Sequence, residues 1–233
     1  DEEQPAQVIP TGIDRIDAEI NTNTGAGVKV AVVDTGIDYT HPDLDGNYKG
    51  GYDFVNNDSD PMDDNGHGTH VAGIAAGTAG NSIGGAGMAP GARILAVRAL
   101  DADGSGYYSR IAHAIAYATD NGAQVINLSL GGSEDSEVLR QAVGYAASRG
   151  VVVACASGND GADKVGVPAR YEGCISVGST GKQDLVSAFS NRGSGLDVVA
   201  PGEGVLSTVM GDGYEAWDGT SMATPFVTGL AAL

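Results

Sequence analysis

The chain has 233 residues, 42% of them hydrophobic, with 37 glycines, 8 prolines and a formal net charge of −18. That length can bury a substantial core, while 30 acidic against 12 basic residues disfavour nucleic acid and anionic membranes as partners. No apolar run approaches the roughly 20 residues of a membrane span, no signal peptide is evident, and Cys155 and Cys174 are too few for a disulfide scaffold.

In chain order, the opening DEEQ lacks methionine, as expected of a processed form or a piece of a longer chain. VKVAVVDTGID (28–38) is an apolar run ending in Asp-Thr-Gly, the pattern of a buried parallel strand entering a turn. The acidic stretch 43–66 reads either as solvated surface or as oxygen-rich loops suited to calcium. GTHVAGIAAGT (68–78), SRIAHAIAYATDNG (109–122) and SEVLRQAVGYAASRG (136–150) have helical spacing with glycine or asparagine stops. ARILAVRAL (92–100), AQVINLSL (123–130), VVVACAS (151–157), CISVGS (174–179) and LDVVA (196–200) read as further strands. This alternation predicts an α/β fold, a three-layer domain with a mostly parallel central sheet flanked by helices and joined by right-handed crossovers. No repeat, low-complexity tract or linker marks a second domain, so residues 1–233 are expected to form one. Both cysteines fall in strand-like runs, as two buried thiols or as one bridge.

Functional groups in such sheets collect at the carboxyl ends of strands. Asp34 follows VAVV, Asn159 follows VVVACASG, and Ser129 sits near the end of its strand. In DGTSMATPFVTGLAAL (218–233), Ser221 precedes an apolar helical run, a place for a capping serine or for a nucleophile. Pro225 is expected so early in that helix that its missing N–H forfeits nothing. A hydroxyl nucleophile needs an imidazole to take its proton and a carboxylate to orient the imidazole. His67, flanked by glycines in NGHGTHVAG, opens a helical run, and an ordinary imidazole pKa near 6.5 suits proton transfer. His70 is read as a buried structural histidine.

VVDTGIDYTHPDL, NGHGTHVAGIAAG and GTSMATP resemble the three signature segments of the subtilisin-like serine peptidases. MAPGARILAVRALDADGSG, INLSLGG, ASGND, LVSAFSNRG and VAPG match further landmarks of that family in order, from Gln7 onward. The resemblance implies a serine endopeptidase working through an acyl-enzyme. Ser221 would be the nucleophile, His67 the general base and then acid, and Asp34 the orienting carboxylate. The Asn159 side chain and the Ser221 backbone N–H would form the oxyanion hole. SLGG (129–132) and DGSGY (103–107) resemble the two edges that hold an extended peptide, through Gly104, Ser105, Gly106, Ser129, Leu130 and Gly131. The pocket for the residue preceding the scissile bond (P1) would be walled by SLG, by ASG with Ser157 and Gly158, and by the segment around Gly166. Asp160 stands either at its entrance or as a plain turn residue. The implied specificity is broad, with a hydrophobic or large P1 side chain and some tolerance for basic ones.

AGNSIGG (79–85) resembles the family's calcium loop. Its ligands would be the side chains of Gln7, Asp43 and Asn81 with the carbonyls of Ala79, Ile83 and Gly85. DFVNNDSDP (53–61) resembles a second calcium loop of some thermostable relatives, through Asp53, Asp58 and Asp60, and reads equally as a solvated acidic turn. Polypeptide substrates, an N-terminal propeptide, a monomer and an extracellular location follow from the same resemblance, although intracellular members exist. Two departures stand out. Phe226 occupies the place where relatives usually carry histidine, and the chain ends inside the serine helix, as expected of a truncated chain. Three other readings fit less well. A non-catalytic calcium-binding domain would lack one of the four catalytic residues. A nucleotide-binding module would carry its glycine turn after a strand, whereas SIGGAG (82–87) precedes one. A metal hydrolase using His67 and His70 would carry H-E-x-x-H.

Overall fold

The apolar run at the start of VKVAVVD becomes strand β1 (Lys29–Asp34) in a computed structural model, which describes residues 6–16 and 18–233. Its side chains divide by parity. Val30 and Val32 enter one buried cluster and Ala31 and Val33 another, so the strand is enclosed on both faces. The other predicted strands form at β3 (Arg93–Arg98), β4 (Val125–Leu128), β5 (Val152–Ala156), β6 (Cys174–Thr180) and β7 (Val198–Pro201). One more, β2 (Tyr48–Asp53), lies within the acidic stretch that reads as surface or loop. All seven pair in parallel, in the order β2-β3-β1-β4-β5-β6-β7. The order reverses between β1 and β4, which opens a crevice at their carboxyl ends.

Helices cover both faces. α3 (Tyr108–Asp120) and α4 (Glu137–Ser148) bury Ile111, Ile115, Leu139 and Val143 against Val33, Val97, Leu128 and Val153. Ser136 caps α4 by accepting the Leu139 N–H. On the opposite face, α2 (His67–Ala76) and α5 (Thr220–Ala232) bury Val71, Ile74, Met222 and Phe226 among Val30, Val32, Ile94 and Ala154. Phe226 is 2% exposed. It lies against Gly12 of the short helix α1 (Thr11–Asp14), where a β-carbon would stand 2.3 Å from its ring. An antiparallel hairpin, β8 (Val205–Val209) and β9 (Gly213–Trp217), leads into α5. Cys155 and Cys174 are free thiols, and burial pushes the Cys155 thiol well up from its ordinary range.

The expectation for Pro225 needs correcting. It is the sixth residue of α5, not one of the first four, so its missing N–H is the one that would bond the Ser221 carbonyl. That carbonyl instead accepts the Ser129 hydroxyl at 2.7 Å. Ser129 Oγ in turn accepts Asn127 Nδ2 at 2.9 Å, and Asn127 Oδ1 accepts the Thr228 hydroxyl at 2.8 Å. This buried chain of polar groups stitches α5 to β4. Asn127→Ala strips both Thr228 and Ser129 of a partner, and urea unfolding should show a loss of about 1–3 kcal/mol.

Candidate active site

Asp34 is the last residue of β1 and fully buried. Its Oδ1 accepts the Thr35 N–H at 2.8 Å and pairs with His67 Nδ1 at 2.7 Å. That pairing leaves Nε2 as the imidazole nitrogen available for proton transfer. The approach is enforced by the backbone. Gly66 takes φ 103° just before α2, and at Gly68 a β-carbon would stand 2.0 Å from the Gly36 carbonyl oxygen. Only glycine at 68 lets the helix start lie this close to the turn after β1.

Ser221 is the second residue of α5 and lines one cavity of about 530 Å³ with His67 and Asn159. Its hydroxyl donates to the Ser129 carbonyl at 3.2 Å. Its backbone N–H belongs to the first turn, where such groups have no intrahelical partner. Asn159 Oδ1 accepts both the N–H and the hydroxyl of Thr220 at 2.9 Å each, which leaves the amide N–H groups as donors beside Ser221. The folded chain thus gathers Asp34, His67, Ser221 and Asn159 from four distant segments.

The segments expected to grip a peptide meet beside them. Gly104, Ser105, Gly106, Ser129, Leu130 and Gly131 line a second cavity with His67. A third, of about 520 Å³, is lined by Leu130, Gly131, Gly158, Asp160 and Gly166, with Asn159 and Ser221 at its mouth. Ser157 does not reach it. It is buried, its hydroxyl donates to the Asn191 carbonyl, and its own carbonyl takes the Gly166 N–H. Asp160 lines the cavity while its N–H is held by the Asn191 side chain.

The model of the subtilase family, peptidase S8, matches residues 25–233. The chain belongs to the subtilase family. It is 57% identical over 212 residues to a thermophilic serine proteinase of Bacillus sp. (strain AK1), covering 91% of this chain and 53% of that protein. It is 53% identical over 209 residues to thermitase of Thermoactinomyces vulgaris, covering 90% of this chain and 75% of thermitase. The crystal structure of a cold adapted subtilisin-like serine proteinase superposes with a TM-score of 0.84 at 42% identity, over 91% of this chain and 76% of that one. The chain therefore spans only about half the length of the first of these relatives.

In this subtilase the residues expected to hold a first calcium ion also meet. Bridges pair Ala6 with Ile83 and Val8 with Gly85, which lays the N-terminal segment along the loop 79–85. Gln7 Nε2 donates to Asn81 Oδ1 at 2.9 Å, Gln7 Oε1 accepts the Gly80 N–H at 2.8 Å, and Asn81 Nδ2 donates to Asp43 Oδ1. Ala79 lies in the same loop. The candidate donors are all oxygens and include a single carboxylate, a set that suits calcium. Of the residues expected at a second site, Asp53 and Asp58 face each other in a short backbone bridge, but their carboxylates are engaged elsewhere. Asp53 is fully buried and gives its carboxylate to Arg98, at 3.2 Å, and to the Val55 and Asn56 N–H groups. Asp58 caps the Asp60 N–H, and Asp60 accepts the Tyr39 hydroxyl. Among the described residues no three His, Cys, Asp or Glu side chains form a metal-holding group.

Sequence reasoning missed Thr220, which orients Asn159, and Arg170 and Asn191 around the third cavity. It also missed Trp217 and Met222 beside Ser221. Thr220 and Met222 stand within the GTSM segment itself and Asn191 within LVSAFSNRG; Trp217 and Arg170 carry no local signal.

The two histidines of α2 differ in charge preference. Burial works against a charged His67, but the Asp34 carboxylate, with Asp63 behind it, carries its pKa above the ordinary value. Asp63 stays ionised despite burial because the Gly66, Thr69 and Asn65 N–H groups and the Thr69 hydroxyl all donate to it. His70 is buried against the Trp217 ring, 4.4 Å between centroids and parallel to 1°, and burial lowers its pKa to about 4. An unfolded histidine takes its proton near 6.5, so the stabilising preference for neutral His70 is complete above that pH and is lost as pH falls towards 4. The loss amounts to about 3 kcal/mol. His67 contributes with the opposite sign. His70→Phe, which keeps the stack, should therefore flatten the fall in melting temperature between pH 6.5 and 4.

Proposed function

We propose that this chain is the catalytic part of a serine endopeptidase that cuts extended polypeptides through an acyl-enzyme. The observation that carries the reading is the 2.7 Å Asp34–His67 contact, with His67 lining a cavity shared with Ser221 and Asn159. The Ser221 hydroxyl turns from the Ser129 carbonyl to His67 Nε2, which takes its proton as Oγ attacks the peptide carbonyl carbon. The oxygen, now negatively charged, is met by Asn159 Nδ2–H and the Ser221 N–H at the positive end of α5. The imidazolium, steadied by Asp34, gives its proton to the departing amine. Water then repeats the sequence on the ester, and Ser221 is restored.

The substrate backbone would lie extended between residues 104–106 and 129–131, held by main-chain hydrogen bonds that ignore side-chain identity. Selectivity would come from the cavity walled by Leu130, Ala156, Val165 and Gly166, whose size suits a hydrophobic or otherwise large P1 residue. Asp160 at its rim favours some basic side chains. Gln7, Asp43, Asn81 and the carbonyls of Ala79, Ile83 and Gly85 would hold calcium. The bound ion would fasten the N-terminal segment to the loop. An extracellular, monomeric enzyme made with an N-terminal propeptide completes the proposal.

Ser221→Ala should remove peptide hydrolysis and fluorophosphonate labelling while leaving the circular dichroism spectrum unchanged, and turnover retained in this variant would overthrow the assignment. A ligand bound only by the folded state stabilises it by mass action. Excess EDTA should accordingly lower the melting temperature of the intact chain, and restored calcium should raise it again; an identical melting curve in chelator removes the calcium reading.

A further inference from the structure

Strand β9 joins two places treated separately so far. At its start, the Tyr214 hydroxyl donates to Asp43 Oδ2 at 2.8 Å, on the carboxylate assigned to calcium. The Tyr214 ring lies over Gly84 of the loop 79–85, where a β-carbon would stand 2.1 Å from the hydroxyl oxygen, so any larger residue there would evict it. His41 meets the same ring edge-on at 5.2 Å, and its Nε2 pairs with the Gly213 carbonyl at 3.1 Å. At the other end, Trp217 stacks on His70 and lines the cavity of Ser221, His67 and Asn159. His70 Nε2 pairs with the Glu215 carbonyl at 3.0 Å, fixing the strand between the two ends. Tyr214 and Trp217 are three residues apart on an extended strand, about 10 Å. Pairing with β8 along the whole length of β9, Val205 opposite Trp217 through Val209 opposite Gly213, makes that link stiff.

We propose that Tyr214 is a positioning residue that couples the calcium carboxylate to the Trp217 wall of the active-site cleft. The inference rests on the calcium reading above. When Asp43 and the loop 79–85 are drawn together around the ion, the Tyr214 hydroxyl and ring have one seat between them. β9 is then held in one position, and Trp217 with it. When the ion leaves, Asp43 and the loop are free to separate, the seat loosens, and the wall beside Ser221 loosens too. The hydrogen bond is the connecting element, so removing one oxygen atom should uncouple the two ends.

The chain provides its own reporter, since Trp217 is its single tryptophan. Calcium is titrated into chelator-stripped protein in the Ser221→Ala background, which excludes self-digestion, with binding followed by calorimetry and Trp217 by its emission. The expected result is an emission change that tracks calcium occupancy. In Tyr214→Phe, calcium should still bind while the emission response is lost. Calcium binding with no emission change in the parent, or an equal change in Tyr214→Phe, overturns the coupling and leaves the calcium reading standing. Absence of any calorimetric binding overturns the calcium reading, and the coupling falls with it.

Discussion

The structure turns on a carbonyl that its own helix does not satisfy. Pro225 has no N–H to offer Ser221, so the peptide oxygen of the proposed nucleophile must find a donor elsewhere, and the Ser129 hydroxyl supplies one at 2.7 Å. The Ser221 hydroxyl returns the contact by donating to the Ser129 carbonyl. A helix start would ordinarily be free to slide or fray on the sheet. Here the reciprocal pair locks it to the end of β4, and the Thr228–Asn127 bond repeats the fastening two turns further along. Without the Ser129 hydroxyl that carbonyl would carry the desolvation cost of an unpaired acceptor. The proline therefore makes the serine's position depend on Ser129.

The same logic, with sterics in place of hydrogen bonds, governs the other half of the site. Gly68 is pressed against the Gly36 carbonyl, and its N–H donates to Thr35 Oγ1 at 2.9 Å. His67 is the residue before that contact and Asp34 the residue before that turn. The close approach of two backbones fixes where the imidazole and carboxylate can be. With β1 and β4 adjacent in the sheet, both fastenings open on one crevice.

These features differ in how far a sequence displays them. The buried strands were legible because parallel strands covered on both faces are continuous apolar runs, and β1, β3, β4, β5, β6 and β7 form within or beside the predicted segments. Strand β2 was hidden, since YKGGYD carries charge and two glycines. Its place in the sheet depends on Gly51, where a β-carbon would meet the Ala96 carbonyl at 1.9 Å, a requirement that no local pattern announces. Asp34, His67, Asn159 and Ser221 were legible through the motifs that hold them. Trp217, Arg170 and Tyr214 were not, because each matters through a partner far away in the chain: His70, Asp135 and Asp43. The acidic stretch shows the limit from the other side. Asp53, Asp58 and Asp60 have the composition of a cation site, yet Arg98, 38 residues or more away, claims the first of them.

His67 and His70 illustrate why residue type alone leaves the chemistry open. They stand one turn apart on the same helix, with the same intrinsic basicity, and their surroundings move them in opposite directions. One faces a buried carboxylate; the other faces an indole ring and a backbone carbonyl. The difference serves the site in a specific way. A charged His70 would repel a proton arriving at His67, and the two interact already at this separation. Keeping His70 neutral leaves Asp34 and Asp63 as the charges that His67 feels most strongly, and both favour its protonation, as the proposed transfer from Ser221 requires. The burial that seats His70 against Trp217 is therefore also what keeps a second positive charge out of the cleft.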